Sequence, residues 1–125
     1  MLTDRGLADA VSGLAYRAGV RVELQIRLPA DRLPISIEAA AYLTVCEALT
    51  NVTKYARATS AWVTVERRDG HIDVEVGDDG VGGAKLDSGS GLQGLRDRIA
   101  AVNGTLELDS RPAAGTILRA RLPLT

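Results

Sequence analysis

Apolar positions recur along this chain with two periods, and the changes between them mark out its elements. Leu7, Val11, Leu14 and Ala18 follow helical spacing, and Gly19 stands where such a helix would stop. From Val20 the period drops to two. Val20, Val22, Leu24, Ile26 and Leu28 share one side and Arg21, Glu23, Gln25 and Arg27 the other, which predicts a strand with one buried face. A loop punctuated by Pro29 and Pro34 leads into a long Ala- and Leu-rich helix, predicted from about Ile35 to Arg57 with Ser36 as its cap. Trp62, Thr64 and Val65 belong to a second strand, Asp69-Gly70 predicts a hairpin turn, and alternation resumes from His71 to Val76. Gly77 to Gly91 reads as loop. Leu92, Leu95, Ile99 and Val102 mark a third helix ended by Asn103-Gly104, and TLELDS and TILRARLPL form a last hairpin across RPAAG.

The order is therefore α-β-α-β-β-loop-α-β-β. Hairpins dominate the connections, so an α/β fold is expected, with a mixed, mainly antiparallel sheet carrying helices on one face and polar residues on the other. The 125 residues fit a single domain, 1–125, with no internal repeat or linker.

Composition narrows the function by exclusion. A formal net charge of -1 gives no basic stripe for nucleic acid, and an aromatic content of 3% without any Phe removes stacking platforms for bases. No apolar run approaches the roughly 18 residues of a membrane span, and the N-terminus lacks the apolar stretch of a signal peptide, so no membrane contact is expected. Cys46, the one cysteine, lies in an apolar segment and reads as a core residue of a cytosolic protein.

Against that ordinary background, polar residues gather on one side of the long helix. Glu47, Asn51, Lys54 and Tyr55 lie on that side, embedded among Ala48, Leu49 and Val52. Burying a carboxylate and an amide costs several kcal/mol unless each finds a partner. A metal-nucleotide would supply such partners: Asn51 offers a neutral carbonyl oxygen suited to Mg²⁺, Glu47 can orient or deprotonate an attacking group, and Lys54 can meet a phosphate. An ordinary amphipathic helix with Glu47 to Asn51 on its wet side accounts for the same residues without a ligand.

Two glycine-rich turns follow. In GDDGVGG, Asp78 stands at a strand's end, where a side chain can point into a pocket, and Gly80 and Gly82 let the backbone approach a planar ring. An ionised carboxylate only accepts hydrogen bonds, so it selects a donor such as the exocyclic amine of adenine. Gly89 to Gly94 matches the dinucleotide pattern G-x-G-x-x-G, but a loop precedes it and a hairpin follows its helix, so a Rossmann unit is excluded. A phosphate cradle at a helix N-terminus remains possible there, as does a glycine-lined helix start with no ligand. Taken in order, the three segments suggest ATP.

These motifs resemble the catalytic ATP-binding domain of bacterial sensor histidine kinases, within the superfamily that includes gyrase and mismatch-repair ATPases. Glu47, Asn51 and Lys54 match the N-box, Asp78, Gly80 and Gly82 the G1-box, and Gly89, Gly91, Leu92 and Gly94 the G2-box; GTILRARLPL with Thr116 resembles the last strand. The resemblance implies a two-layer α/β sandwich of the Bergerat type. It implies that Asn51 binds Mg²⁺, that Asp78 and Thr116 hold adenine, and that the G2 glycines meet phosphates, with Lys54 and Tyr55 as further nucleotide-binding candidates beside them. Tyr55 departs from the His found in many relatives. Eight residues separate Gly82 from Gly91, and this short lid resembles the subfamily paired with LuxR-type response regulators.

The family phosphorylates a histidine on a separate dimerisation domain, and no such helix pair fits here. His71, the only histidine, reads as a solvated strand residue. The expectation is a cytoplasmic protein-histidine kinase catalytic domain using ATP and Mg²⁺, with its phosphoacceptor domain and a response regulator as partners. The competing readings are a serine kinase of the anti-sigma-factor type and a nucleotide-sensing module without catalysis.

Overall fold

The computed structural model describes residues 2–28, 33–53, 58–80, 92–110 and 115–124, with side chains described from Gly6 onward. Among these residues the elements are α1 (Leu2–Tyr16), β1 (Arg21–Arg27), α2 (Ile35–Asn51), β2 (Ser60–Arg68), β3 (His71–Asp78), α3 (Leu92–Ala101), β4 (Thr105–Ser110) and β5 (Thr116–Pro123). Their order is the one the hydrophobic periodicity predicts. In α1 the backbone is non-helical at Gly6, and the regular turns beyond it bury Leu7, Ala10 and Val11. The predicted cap of α2 is not made. Pro34 takes the cap position in an extended conformation (φ -53, ψ 140), its carbonyl accepts from Ile37 and Glu38 at 3.0 Å, and Ser36 is already inside the helix and exposed. Beyond Asn51 the chain continues through a wider π-type turn at Val52 and Thr53. The remainder of the predicted helix, to Arg57, lies outside the described residues.

The sheet runs β1-β2-β3-β5-β4. β1 and β2 are parallel, from Arg21 opposite Ser60 to Arg27 opposite Glu66, because α2 carries the chain back between them. The other pairs are antiparallel, and Asp69 (φ 40) and Gly70 (φ 83) make the tight turn between β2 and β3. β5 enters between β3 and β4, so Asp78 pairs with Thr116 and His71 with Pro123. One face of the sheet presents Val63, Val65, Ile72, Val74, Val76, Leu118, Ala120 and Leu122 to the core, where they join Val11, Ala41, Val45, Leu95 and Ile99 of the helices. On β1, an edge strand, the predicted inner face of Val22, Leu24 and Ile26 is the more buried one but only half-buried.

The opposite face is polar and internally paired. Glu75 accepts from Trp62 Nε1 at 2.9 Å and Arg119 Nε at 2.8 Å, and Arg121 Nε lies 3.3 Å from Asp73 Oδ1. His71 lies on this face too, but it is not the solvated residue expected. Its side chain is only 19% exposed, and its buried Nε2 sits 3.2 Å from Asp73 Oδ1 without an aligned hydrogen bond. Gly77 corrects the predicted loop start: it is buried within β3, directly opposite Trp62. A Cβ there would stand 2.0 Å from Trp62 Cζ2, so the glycine serves the indole rather than a turn. Gly77→Ala is expected to lift the indole from the sheet and destabilise the fold by about 1–3 kcal/mol. Urea denaturation followed by the fluorescence of this single tryptophan checks it, with unchanged stability as the contrary result.

Candidate functional site

Asn51 ends α2 one turn after Glu47. Glu47 is half-buried. The Asn51 amide is more unusual: both Oδ1 and Nδ2 are shut away from solvent, and neither has a hydrogen-bond partner among the described residues. An unpaired buried polar group costs about 1–3 kcal/mol, so native interiors rarely keep one without a use. Among the described residues nothing competes for its carbonyl oxygen or its amide NH2 group. The rest of α2 satisfies itself locally, with Thr44 and Thr50 donating to the carbonyls of Ala40 and Cys46, both at 2.8 Å.

Asp78 stands at the end of β3, where alternation turns its side chain to the buried side, and it is 6% exposed. Gly80 N–H donates to Asp78 Oδ1 at 2.7 Å. Burial pushes the carboxyl above the usual range; the Gly80 hydrogen bond opposes this, the neighbouring Asp79 charge adds to it, and a Thr116 backbone hydrogen bond opposes it weakly. The site thus holds a carboxylate whose charge is under-compensated, as a waiting acceptor should be. Behind it, Gly115 adopts φ 78, and a Cβ at that position would lie 2.3 Å from the Asp78 carbonyl oxygen. Only glycine lets the start of β5 come that close.

The structure therefore gathers Asp78, Gly80 and Thr116 into one contact cluster. Thr116 is paired with Asp78 across β3 and β5, and its hydroxyl lies 2.6 Å from that of Ser110. Leu92 begins α3 with its side chain 2% exposed in the core, while Gly94 is exposed with open space around its Cβ position. Lys54, Tyr55, Gly82, Gly89 and Gly91 lie outside the described residues.

Sequence reasoning passed over Asp79. Its carboxylate accepts from Thr59 N–H at 2.9 Å, Thr59 Oγ1 at 2.6 Å, Ser60 N–H at 3.1 Å and Ser60 Oγ at 3.2 Å. These donors, the Thr59 hydroxyl foremost, hold its pKa at about 2. Because that lies below the free value of 3.8, the clamp's contribution is present above about pH 3.8 and lost as pH falls through about 2. A signal existed in the doubled aspartate and the Thr-Ser pair entering β2, but pairing them requires the sheet register.

Comparison with known proteins gives this arrangement a family. Residues 36–125 match the model of the histidine kinase-, DNA gyrase B- and HSP90-like ATPases. The chain belongs to this ATPase family. Among its ATPase relatives, the oxygen sensor histidine kinase NreB of Staphylococcus carnosus is 36% identical over 111 residues, covering 86% of this chain and 32% of NreB. The sensor histidine kinase YxjM of Bacillus subtilis is 30% identical over 121 residues, covering 96% of this chain and 29% of YxjM. The chain thus spans about a third of the length of such relatives.

Solved structures share the ATPase fold. The blue-light activated histidine kinase of Erythrobacter litoralis superposes with a TM-score of 0.75 at 22% identity, over 94% of this chain and 40% of that one. Full-length ShkA, solved in complex with AMPPNP, gives 0.71 at 17% identity, over 95% of this chain and 29% of ShkA. No helix among the described residues is long and apolar enough to cross a membrane.

Proposed function

We propose that this chain is the ATP-binding catalytic domain of a sensor histidine kinase and passes the γ-phosphoryl group of ATP to a histidine on a separate dimerisation domain. The observation that carries this reading is the Asn51 amide, buried and without a partner among the described residues, one helical turn from a carboxylate. The ATPase family and the sensor kinases among its relatives support it.

Each residue then has a task. Asp78 accepts a hydrogen bond from the adenine amine, with Gly80 and Thr116 shaping the pocket floor around it. Asn51 offers its carbonyl oxygen to Mg²⁺, a neutral hard ligand of the kind that ion takes beside phosphate oxygens. A bound Mg²⁺ supplies neutralisation of phosphate charge during transfer. Glu47 orients the attacking imidazole or holds its proton. Gly82, with Gly80, lets the backbone approach the adenine ring, and Lys54, Tyr55 and the segment Gly89, Gly91, Leu92 and Gly94 are assigned to the phosphates through charge and backbone N–H groups. In this reading the domain works in the cytoplasm, beside its parent's dimerisation domain, and the phosphoryl group moves on to a response regulator, one of the LuxR type given the short lid.

Calorimetric titration with ADP and a non-hydrolysable ATP analogue, with and without Mg²⁺, tests the reading. Binding strengthened by Mg²⁺ is expected, and ligand at about 100 times its dissociation constant should add about 2.7 kcal/mol to stability. Transfer in trans to a dimerisation domain separates a kinase from a nucleotide sensor, and a serine rather than histidine product would favour the anti-sigma-factor type. Absence of nucleotide binding would sink the assignment altogether.

A further inference from the structure

Asp78, which closes β3, and Asp79, just beyond it, occupy opposite environments, yet they are adjacent in the chain. Asp78 is buried and accepts from backbone N–H groups of Gly80 and Thr116, whereas exposed Asp79 is held by four donors from Thr59 and Ser60. The backbone joins the clamp as well, with Asp79 N–H donating to the Ser60 carbonyl at 3.3 Å. On the other flank, Gly115 packs against the Asp78 carbonyl oxygen. The main chain at Asp78 is therefore gripped from β2 on one side and β5 on the other. Thr59 and Ser60 also stand on the stretch returning from α2, the helix that carries Asn51.

A fully exposed carboxylate adds little to a core, and its charge-assisted bonds fix direction more than they add stability. Direction is what base recognition requires. Adenine presents an amine donor where guanine presents a carbonyl acceptor, and a carboxylate distinguishes them only if it is aimed at that position.

We infer that Asp79 is a positioning residue for base selection: its clamp on Thr59 and Ser60 aims the Asp78 carboxylate, so preference for adenine over guanine depends on a side chain that touches neither. This rests on the assignment of Asp78 to the adenine amine. The preference is measured as the ratio of GDP to ADP dissociation constants, by calorimetry in Mg²⁺ on the whole 125-residue chain. Asp79→Ala is expected to lower that ratio by about tenfold, a difference within reach of one misplaced hydrogen bond. Asp79→Asn retains an acceptor oxygen for the two N–H groups and should restore most of it. The pair Thr59→Val with Ser60→Ala leaves the two backbone N–H donors in place, so it should lower the ratio by less, and adding Asp79→Ala to it should bring the ratio down to that of Asp79→Ala alone.

A lower melting temperature with the ratio intact in Asp79→Ala overturns the inference, because a purely structural clamp behaves that way. Asp78→Asn separates the two levels. If it leaves the ratio unchanged, the Asp78 assignment falls and the inference with it; if it collapses the ratio while Asp79→Ala and the paired variant do not, the inference alone falls. Should Asp79→Ala fail to fold, the paired variant, which removes only two hydroxyls, decides the matter.

Discussion

Asn51→Leu is expected to make the ligand-free protein more stable and the kinase inactive. The substitution keeps the branched shape and heavy-atom count and removes two buried polar atoms that have no partner among the described residues. Relief of that penalty, about 1–3 kcal/mol, corresponds to a rise of about 3–10 °C in melting temperature for a chain of this size. On the proposed assignment the same change deletes the Mg²⁺ ligand, so phosphoryl transfer should fall by about a hundredfold or more. Calorimetric melting without nucleotide and transfer to a dimerisation domain measure the two effects separately. A destabilised variant that still transfers phosphate would show that Asn51 is a packing residue.

Asp78→Asn should separate affinity from stability through pH. Burial raises the Asp78 carboxyl above 3.8, so the folded protein holds its proton more tightly than the unfolded chain. The sign follows: as pH rises from about 3.8 through the raised value, the wild type loses stability, and at neutral pH it carries the full cost of the buried charge. Asparagine keeps an acceptor for Gly80 N–H and carries no charge. The variant should match the wild type in acid and exceed it at pH 7–8. Its nucleotide affinity should fall by about 10- to 150-fold, the equivalent of a charge-assisted hydrogen bond worth about 1.5–3 kcal/mol. Parallel stability curves for the two proteins from pH 3 to 8 would remove the electrostatic argument, and equal affinity would remove the adenine contact.

The architecture was largely legible because periodicity is a local signal that the fold obeys. The two-residue alternation of HIDVEV needs no tertiary information, and the Asp69-Gly70 turn follows from backbone sterics alone. The errors are equally physical. Ser36 is a good cap residue by type, but Pro34 with its locked φ already starts the helix before it. Gly77 was read as punctuation because glycine usually is, whereas here it makes room for an indole on the neighbouring strand. His71 looked solvated from its place beside a turn, and only the third dimension brings Asp73 alongside and buries its Nε2. For the site, residue type and order pointed to Asn51 and Asp78. The clamp at Asp79 joins residues 19 and 20 positions apart, and no local rule reaches that far.

The placement of β5 has a consequence for how the protein comes into being. β3, which ends in Asp78, pairs along its length with β5, from Thr116 to Pro123, and β5 is the strand between it and β4. During synthesis the ribosome delivers β1, β2 and β3 well before the strand that completes their neighbourhood. Until then β3 has an open edge, and the carbonyl of Asp78 lacks the glycine that packs behind it. Such long-range pairing is slow compared with hairpin closure. The nascent domain should therefore be blind to nucleotide until its last strand docks, so that binding competence arrives in one step, with the finished sheet.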